Sequence, residues 1–243
     1  MFNTEHITFF VGKEKLSGIL YSPSSFMSPL PAAITYHGRG SSKNRHLDRA
    51  QAFAEAGFLS FVFDFRGCGD SDGEFDKQTT AMGLEDALAA YEYIFSHKLV
   101  DKNRIAIWGG SYGGYQAALV SEMHPVKSLV LAAPALYVNE WWNITISEIR
   151  NDEGELYRLQ EEMNILNTKG LIAIEKYSGS LFVEVHENDE IIPRRIPQAY
   201  FHHAHNTQAK DMKIMKDAPH ALYDEIFRKQ SIEWATDWFK KTL

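Results

Sequence analysis

The stretch Arg104–Leu119, "RIAIWGGSYGGYQAAL", sets Ser111 among four glycines where an apolar run stops and a helix-like pattern begins. Gly109, Gly110, Gly113 and Gly114 weaken strands and helices alike. Such a cluster therefore answers a need of the backbone, either positive φ or the close approach of another segment. Gly109-Gly110-Ser111-Tyr112-Gly113 fits G-x-S-x-G, in which a serine occupies a strained strand-to-helix turn that only small neighbours permit. That reading demands a strand before the motif and a helix after it, and both patterns are present. The bland alternative is a glycine-rich turn with an incidental serine.

The same rhythm extends on both sides. Apolar runs at Ala32–His37, Leu59–Phe65, Arg104–Gly109, Lys127–Pro134, Ser180–His186 and, more weakly, Lys210–Asp217 read as strands. They alternate with helical patterns near 46–57, 79–97, 111–122 and 221–240. Thr4–Val11 and Leu16–Tyr21 flank "GKEK" and read as an antiparallel hairpin. Continuous apolar strands alternating with helices predict an α/β fold, a mostly parallel eight-stranded sheet buried between helices. In such sheets ligands bind beyond the carboxyl ends of the strands. No repeat or low-complexity linker divides the chain, so residues 1–243 read as one domain. About 45 residues separate Pro134 from Ser180, too many for a plain crossover. Residues 135–179 are therefore expected to form a small helical insertion over the strand ends, a lid.

The 243 residues are 44% hydrophobic and 23% charged, enough apolar material for a full core. A net charge of −7 without a clustered basic face argues against nucleic acid or an anionic membrane as partner. Cys68 is the only cysteine, which excludes an intrachain disulfide and a cysteine-based metal site. No apolar run approaches the roughly 18 residues of a membrane span. The N-terminus reads as a strand and not as an export signal, so a cytoplasmic location is expected. The sequence is compatible with a homodimer.

A serine nucleophile needs a base, and the base an orienting acid. Around G-x-S-x-G these follow in the chain order Ser, acid, His. "HENDEIIP" (His186–Pro193) offers Asp189 after the next-to-last strand, with Glu187 and Glu190 as competitors. "DAPHAL" (Asp217–Leu222) offers His220 before the last helix, with Asp217 close by. His202, His203 and His205 cluster on an expected surface helix, a poor metal site, and no metal or other cofactor is expected. The tetrahedral intermediate would need two amide donors, assigned to Tyr112 N–H and to Arg39 N–H in "HGRG".

With these residues in view, the chain resembles the α/β-hydrolases over essentially its whole length. "HGRGSS" resembles that superfamily's His-Gly segment, "DFRGCGDSDGEF" (Asp64–Phe75) its D-x-R-G-x-G-x-S-x-G turn, and "HENDEIIP" its acid loop. The branch most similar is that of the small cinnamoyl/feruloyl-esterase-like and dienelactone-hydrolase-like enzymes, several of which carry a lid at the same point. The resemblance implies a serine hydrolase cleaving carboxylic esters of small molecules through an acyl-enzyme. The catalytic residues would be Ser111, Asp189 and His220. "GGSYGGY" also resembles the catalytic domain of prolyl-oligopeptidase-type peptidases, which keeps a small serine peptidase or amidase open. A binding protein on the same scaffold is the third reading.

Two departures stand out: His186 occupies a position often held by glycine, and Arg39 one often apolar. The Arg39 side chain is a candidate to meet an anionic or polar acyl group. Trp141 and Trp142, neighbours in the insertion, are candidates to line the substrate pocket or to anchor the lid. One of the two is expected to pack and the other to face substrate. The Asp64–Phe75 turn is expected to brace its loop, with Cys68 packed inside it.

Overall fold

The computed structural model describes residues 1–150 and 167–243. Among these, eight strands form one sheet: β1 (Phe2–Val11), β2 (Glu14–Pro23), β3 (Leu30–Tyr36), β4 (Leu59–Phe63), β5 (Val100–Gly110), β6 (Ser128–Ala132), β7 (Ser180–His186) and β8 (Ala209–Met215). Their order is β1-β2-β4-β3-β5-β6-β7-β8. The first two make the expected hairpin, turning at Gly12 with φ 58°, and β2 runs antiparallel to β4. Every later pairing is parallel.

Burial follows from position. All residues of β4, β6 and β7 are buried because helices cover both faces of the sheet. At the edge, β8 exposes most of its residues and carries Lys210 and Lys213, charges that discourage pairing with another chain. Helices α1 (Leu47–Glu55) and α7 (Glu225–Thr242) cover one face, where Phe53 and Phe239 join Trp108 and Phe182 of the strands. Helices α2 (Thr80–Phe95), α3 (Tyr112–Met123), α5 (Lys169–Lys176) and α6 (Arg195–His203) cover the other. There Tyr91, Leu119, Leu171 and Tyr200 meet Ile34, Ile107, Leu131 and Val183.

The chain leaves β3 for β4 on one side and returns to β5 on the other. The direction of winding therefore reverses between β3 and β5, and a crevice opens beyond their carboxyl ends. Ser111 follows β5 directly, and the His37–Gly40 segment follows β3.

Two boundaries differ from expectation for local reasons. The last helix begins at Glu225 and not near Ala221, because Asp224 caps it by accepting from Ile226 N–H at 2.7 Å. Residues 221–224 are thereby left as a loop. The helix carrying His202 and His203 ends at His203, so His205 lies beyond it. Of the expected insertion, residues 151–166 lie outside those described. On their N-terminal side stand a 3-10 turn (Asn139–Asn143) and the short α4 (Ile146–Arg150). On their C-terminal side α5 buries Gly170, Leu171, Ala173 and Ile174, with Leu171, Ala173 and Ile174 in the main core. No helix among the described residues is long and apolar enough to cross a membrane.

Candidate active site

The glycines of the opening motif are required by contact. A Cβ on Gly109 would run into the Gly113 carbonyl, and one on Gly113 into the Tyr36 carbonyl of β3. Between them Ser111 takes φ 51° and ψ −117°, a strained geometry for a residue with a side chain. Backbone bonds hold it there. Ser111 N–H donates to Ala132 at 2.9 Å, while Ser111 C=O accepts from Gly114 at 2.9 Å and from Ala135 at 3.0 Å.

His220 reaches the serine from the 217–224 loop. Its Nε2 lies 3.0 Å from Ser111 Oγ, and its Nδ1 lies 2.8 Å from Asp189 Oδ2. The other oxygen of Asp189 accepts the amides of Ile191 and Ile192 at 2.9 and 2.7 Å, which fixes the carboxylate against rotation. That side chain is only 5% exposed. The competing carboxylates have other work. Glu190 accepts from His220 N–H and Glu187 from Asp217 N–H, each at 3.0 Å. Both brace the loop backbone, and neither is the carboxylate paired with the His220 ring.

His186, at the position often held by glycine, is buried beneath His220. Its Nδ1 faces the His220 carbonyl at 3.2 Å and its Nε2 faces Glu184 Oε1 at 3.0 Å. Both partners are acceptors, so the imidazolium, a donor at both nitrogens, satisfies the site best. Burial by itself would lower its pKa. The Glu184 hydrogen bond and charge, with Asp189 and the His220 carbonyl, hold it above the ordinary histidine value. Glu184 Oε2 in turn accepts from Ser231 Oγ of α7 at 3.0 Å, and Ser231 Oγ accepts from Arg49 Nη2 of α1 at 3.0 Å. Sequence reasoning misses this line of contacts from α1 to His220. Its members lie far apart along the chain, and the only local signal is an unusual His186.

Opposite lies the loop after β3. His37 Nδ1 lies 2.7 Å from the Gly38 carbonyl and His37 Nε2 accepts from Phe65 N–H at 3.1 Å, so the imidazole ties the loops after β3 and β4 together. Tyr112 stands in the first turn of α3, where an amide has no intrahelical acceptor. Arg39 directs its guanidinium between the Tyr112 and Tyr137 rings, 4.7 Å from each centroid. The Asp64–Phe75 turn is a brace, as expected. Asp64 accepts from Lys43 N–H at 2.6 Å and from Asp70 N–H at 2.9 Å, and Lys43 Nζ bridges Asp64 and Asp70. Burial pushes the Cys68 thiol up to about 11, far from a thiolate at neutral pH.

A cavity of about 420 Å³ opens beside Ser111 and His220, on the side of α1 and α7. Besides the catalytic candidates it meets Arg39, Arg45, His46, Arg49, Trp108 and Arg228. Neither Trp141 nor Trp142 lines it. Both lie on a 3-10 turn, half-buried against the main core cluster, and Lys169 Nζ sits 5.0 Å from the Trp142 ring centroid. Of the C-terminal histidines, His203 pairs with Glu175 at 2.7 Å, while His202 and His205 are exposed.

A reversed winding at β3 and β5, with a serine elbow at that point, defines an α/β-hydrolase. Residues 45–243 match the model of the prolyl oligopeptidase family, and the chain belongs to that family. Est1E of Butyrivibrio proteoclasticus, solved with ferulic acid, superposes with a TM-score of 0.77 at 16% identity, covering 97% of this chain and 98% of that one. An esterase of Pyrococcus furiosus superposes at 0.75 with 19% identity, covering 99% and 93%. In sequence, the quorum-quenching protein AidA of Acinetobacter baumannii is 36% identical over 102 residues, 41% of this chain and 33% of that protein. The matched segments thus span about a third of the length of such curated relatives.

Proposed function

We propose that the protein is a carboxylic-ester hydrolase acting on small-molecule esters through Ser111, His220 and Asp189. The hydrogen-bonded line from Ser111 Oγ through the His220 ring to Asp189 carries this reading. His220 Nε2 accepts the Ser111 proton as Oγ attacks the ester carbonyl, and Asp189 holds the ring and stabilises its charged form. The Arg39 and Tyr112 amides take the oxyanion. The C–O bond to the alcohol then breaks, and that alcohol leaves with the proton from His220. Water, deprotonated by the same nitrogen, attacks the acyl-enzyme, releases the acid and restores Ser111. The esterases among the structural neighbours support an ester as substrate. Membership of the prolyl oligopeptidase family supports a second reading, cleavage of short peptides or amides by the same residues.

The test is a panel of 4-nitrophenyl esters run beside aminoacyl 4-nitroanilides. Esters should be turned over and anilides much more slowly. The Ser111→Ala and His220→Ala variants should each lose about 10⁴-fold or more in kcat, and Asp189→Asn somewhat less, with unchanged circular dichroism. Near wild-type turnover by Ser111→Ala would refute the mechanism, and faster anilide cleavage would transfer the reading to the peptidase.

A further inference from the structure

The cavity beside Ser111 carries an unusual charge pattern for a pocket that would receive an acyl chain. Arg49 is 3% exposed, and its guanidinium lies 3.7 Å from the Trp108 ring centroid. Among the described residues only its Nη2 has a hydrogen-bond partner, Ser231, whereas Nε and Nη1 are buried without one. Unmade bonds on a buried guanidinium are costly, and burial drags its pKa down to about 10, still charged at neutral pH. Arg228 holds Asp48 at 2.6 Å, and the exposed Arg45 stacks over Tyr223 at 4.1 Å. His46, half-buried beside Arg49 and Arg45, has its pKa held well below the ordinary value, first by desolvation and then by the Arg49 charge. Among the described residues, the guanidinium groups in and around the cavity thus outnumber the carboxylates that face them, Asp48 and the more distant Glu184.

The position is as telling as the charge. Trp108 lies three residues before Ser111, and its ring edge approaches Gly110 closely enough that a Cβ there would collide with it. One indole therefore spans the gap between Arg49 and the backbone next to the nucleophile. Trp108, Ala132 and Ala133 supply an apolar wall along that path.

We propose that this cavity is an anion-accepting acyl subsite. In it Arg49, Arg45 and Arg228 would receive the remote carboxylate of a dicarboxylic half-ester whose ester carbonyl lies at Ser111. The inference rests on the ester-hydrolase reading for the reaction, and on the cavity alone for the binding. The carboxylate would meet the positive charge of these cavity-lining guanidinium groups, with the exposed Arg45 and part-exposed Arg228 open to it directly and Arg49 acting through its buried charge. Arg39 also lines the cavity and its Nε too is without a hydrogen bond among the described residues, but its guanidinium stacks between the two tyrosine rings.

The experiment compares 4-nitrophenyl hemiglutarate with its methyl-capped diester, which differ only at the far end, a carboxylate against its neutral methyl ester. Wild-type kcat/KM should favour the half-ester by about tenfold or more in low salt, and added salt should erode the preference. Arg45→Gln, an exposed position, and Arg49→Met should each reduce that ratio about fivefold or more. A wild-type ratio at or below one, or a ratio untouched by both variants, overturns the proposal. Calorimetry on the Ser111→Ala protein reads the subsite without turnover. Monomethyl glutarate should bind about tenfold more tightly than dimethyl glutarate, and equal affinities overturn the proposal. If the wild type cleaves the capped diester but shows no charge preference, the subsite falls and the esterase reading stands. If neither ester is cleaved while Ser111→Ala still prefers the anion, the esterase reading falls and the subsite stands.

Discussion

Two buried arginines on opposite flanks of the site have opposite fates. Arg66, in the turn after β4, gives Nε to Asp86 at 2.6 Å, Nη1 to Glu14 at 3.0 Å, and Nη2 to Glu85 and the Met82 carbonyl at 2.7 Å. Arg49, on α1, has one neutral partner and an aromatic face. Burial opposes the charge on both. At Arg66, Asp86 with the other carboxylates overcomes it and raises the pKa, whereas at Arg49 burial prevails. A saturated guanidinium is a strut. An unsaturated one beside a cavity is a receptor, and the donor inventory of the same residue type tells the two apart.

Breaking the strut should have the largest effect. Arg66→Met leaves Asp86 buried opposite an apolar group and should lower stability by about 3–5 kcal/mol in urea denaturation. Adding Asp86→Leu should recover part of that loss by removing the buried charge left without its cation, less the bond Asp86 accepts from the residue 66 N–H. Arg49→Met should be much milder, about 1 kcal/mol or less, because relief of two unpartnered donors offsets the lost stacking on Trp108 and the bond to Ser231. Equal losses at the two positions would erase the distinction between strut and receptor.

A smaller effect tests the line that joins Arg49 to His220. The folded-state pKa of His186 is raised, so its contribution to stability is fully present below the unfolded value of about 6.5 and fades as pH rises through the folded one. The Tm difference between wild type and His186→Gln should accordingly be largest in mild acid and shrink toward alkaline pH. A difference independent of pH would show that His186 contributes through packing alone. Smallest of all is the expected reactivity of Cys68. With the thiol buried and its pKa at about 11, a disulfide reagent should label the native protein far more slowly than the urea-unfolded chain. Equally fast labelling would mean that the brace around Asp64 opens readily.

Much of this architecture is legible in the linear chain. The run Ser180–His186 is a strand in the structure with the same bounds, and the glycines around Ser111 mark a turn that their contacts require. Those features depend on local chemistry: apolar periodicity, the absence of a Cβ, and the order of strands and helices. The C-terminal helix start is less legible, because Asp224 competes as a cap with the earlier apolar residues. Trp141 and Trp142, expected to diverge with one packed and the other facing substrate, stand on a 3-10 turn and are both half-buried against the main core.

The sequence by itself determined the alternation that builds the sheet, the elbow at Ser111 and a short set of acid and base candidates in two named loops. Only the tertiary structure decided which carboxylate of "HENDE" meets the His220 ring, that Arg39 is clamped between tyrosines, and that Arg49 comes to lie against Trp108 beside the nucleophile. The reason is physical. Secondary structure and turns depend on neighbours a few residues apart. The partner of a buried charge is set by which distant segments the close-packed core brings within about 3 Å. Ser231, 182 positions from Arg49 along the chain, is such a partner.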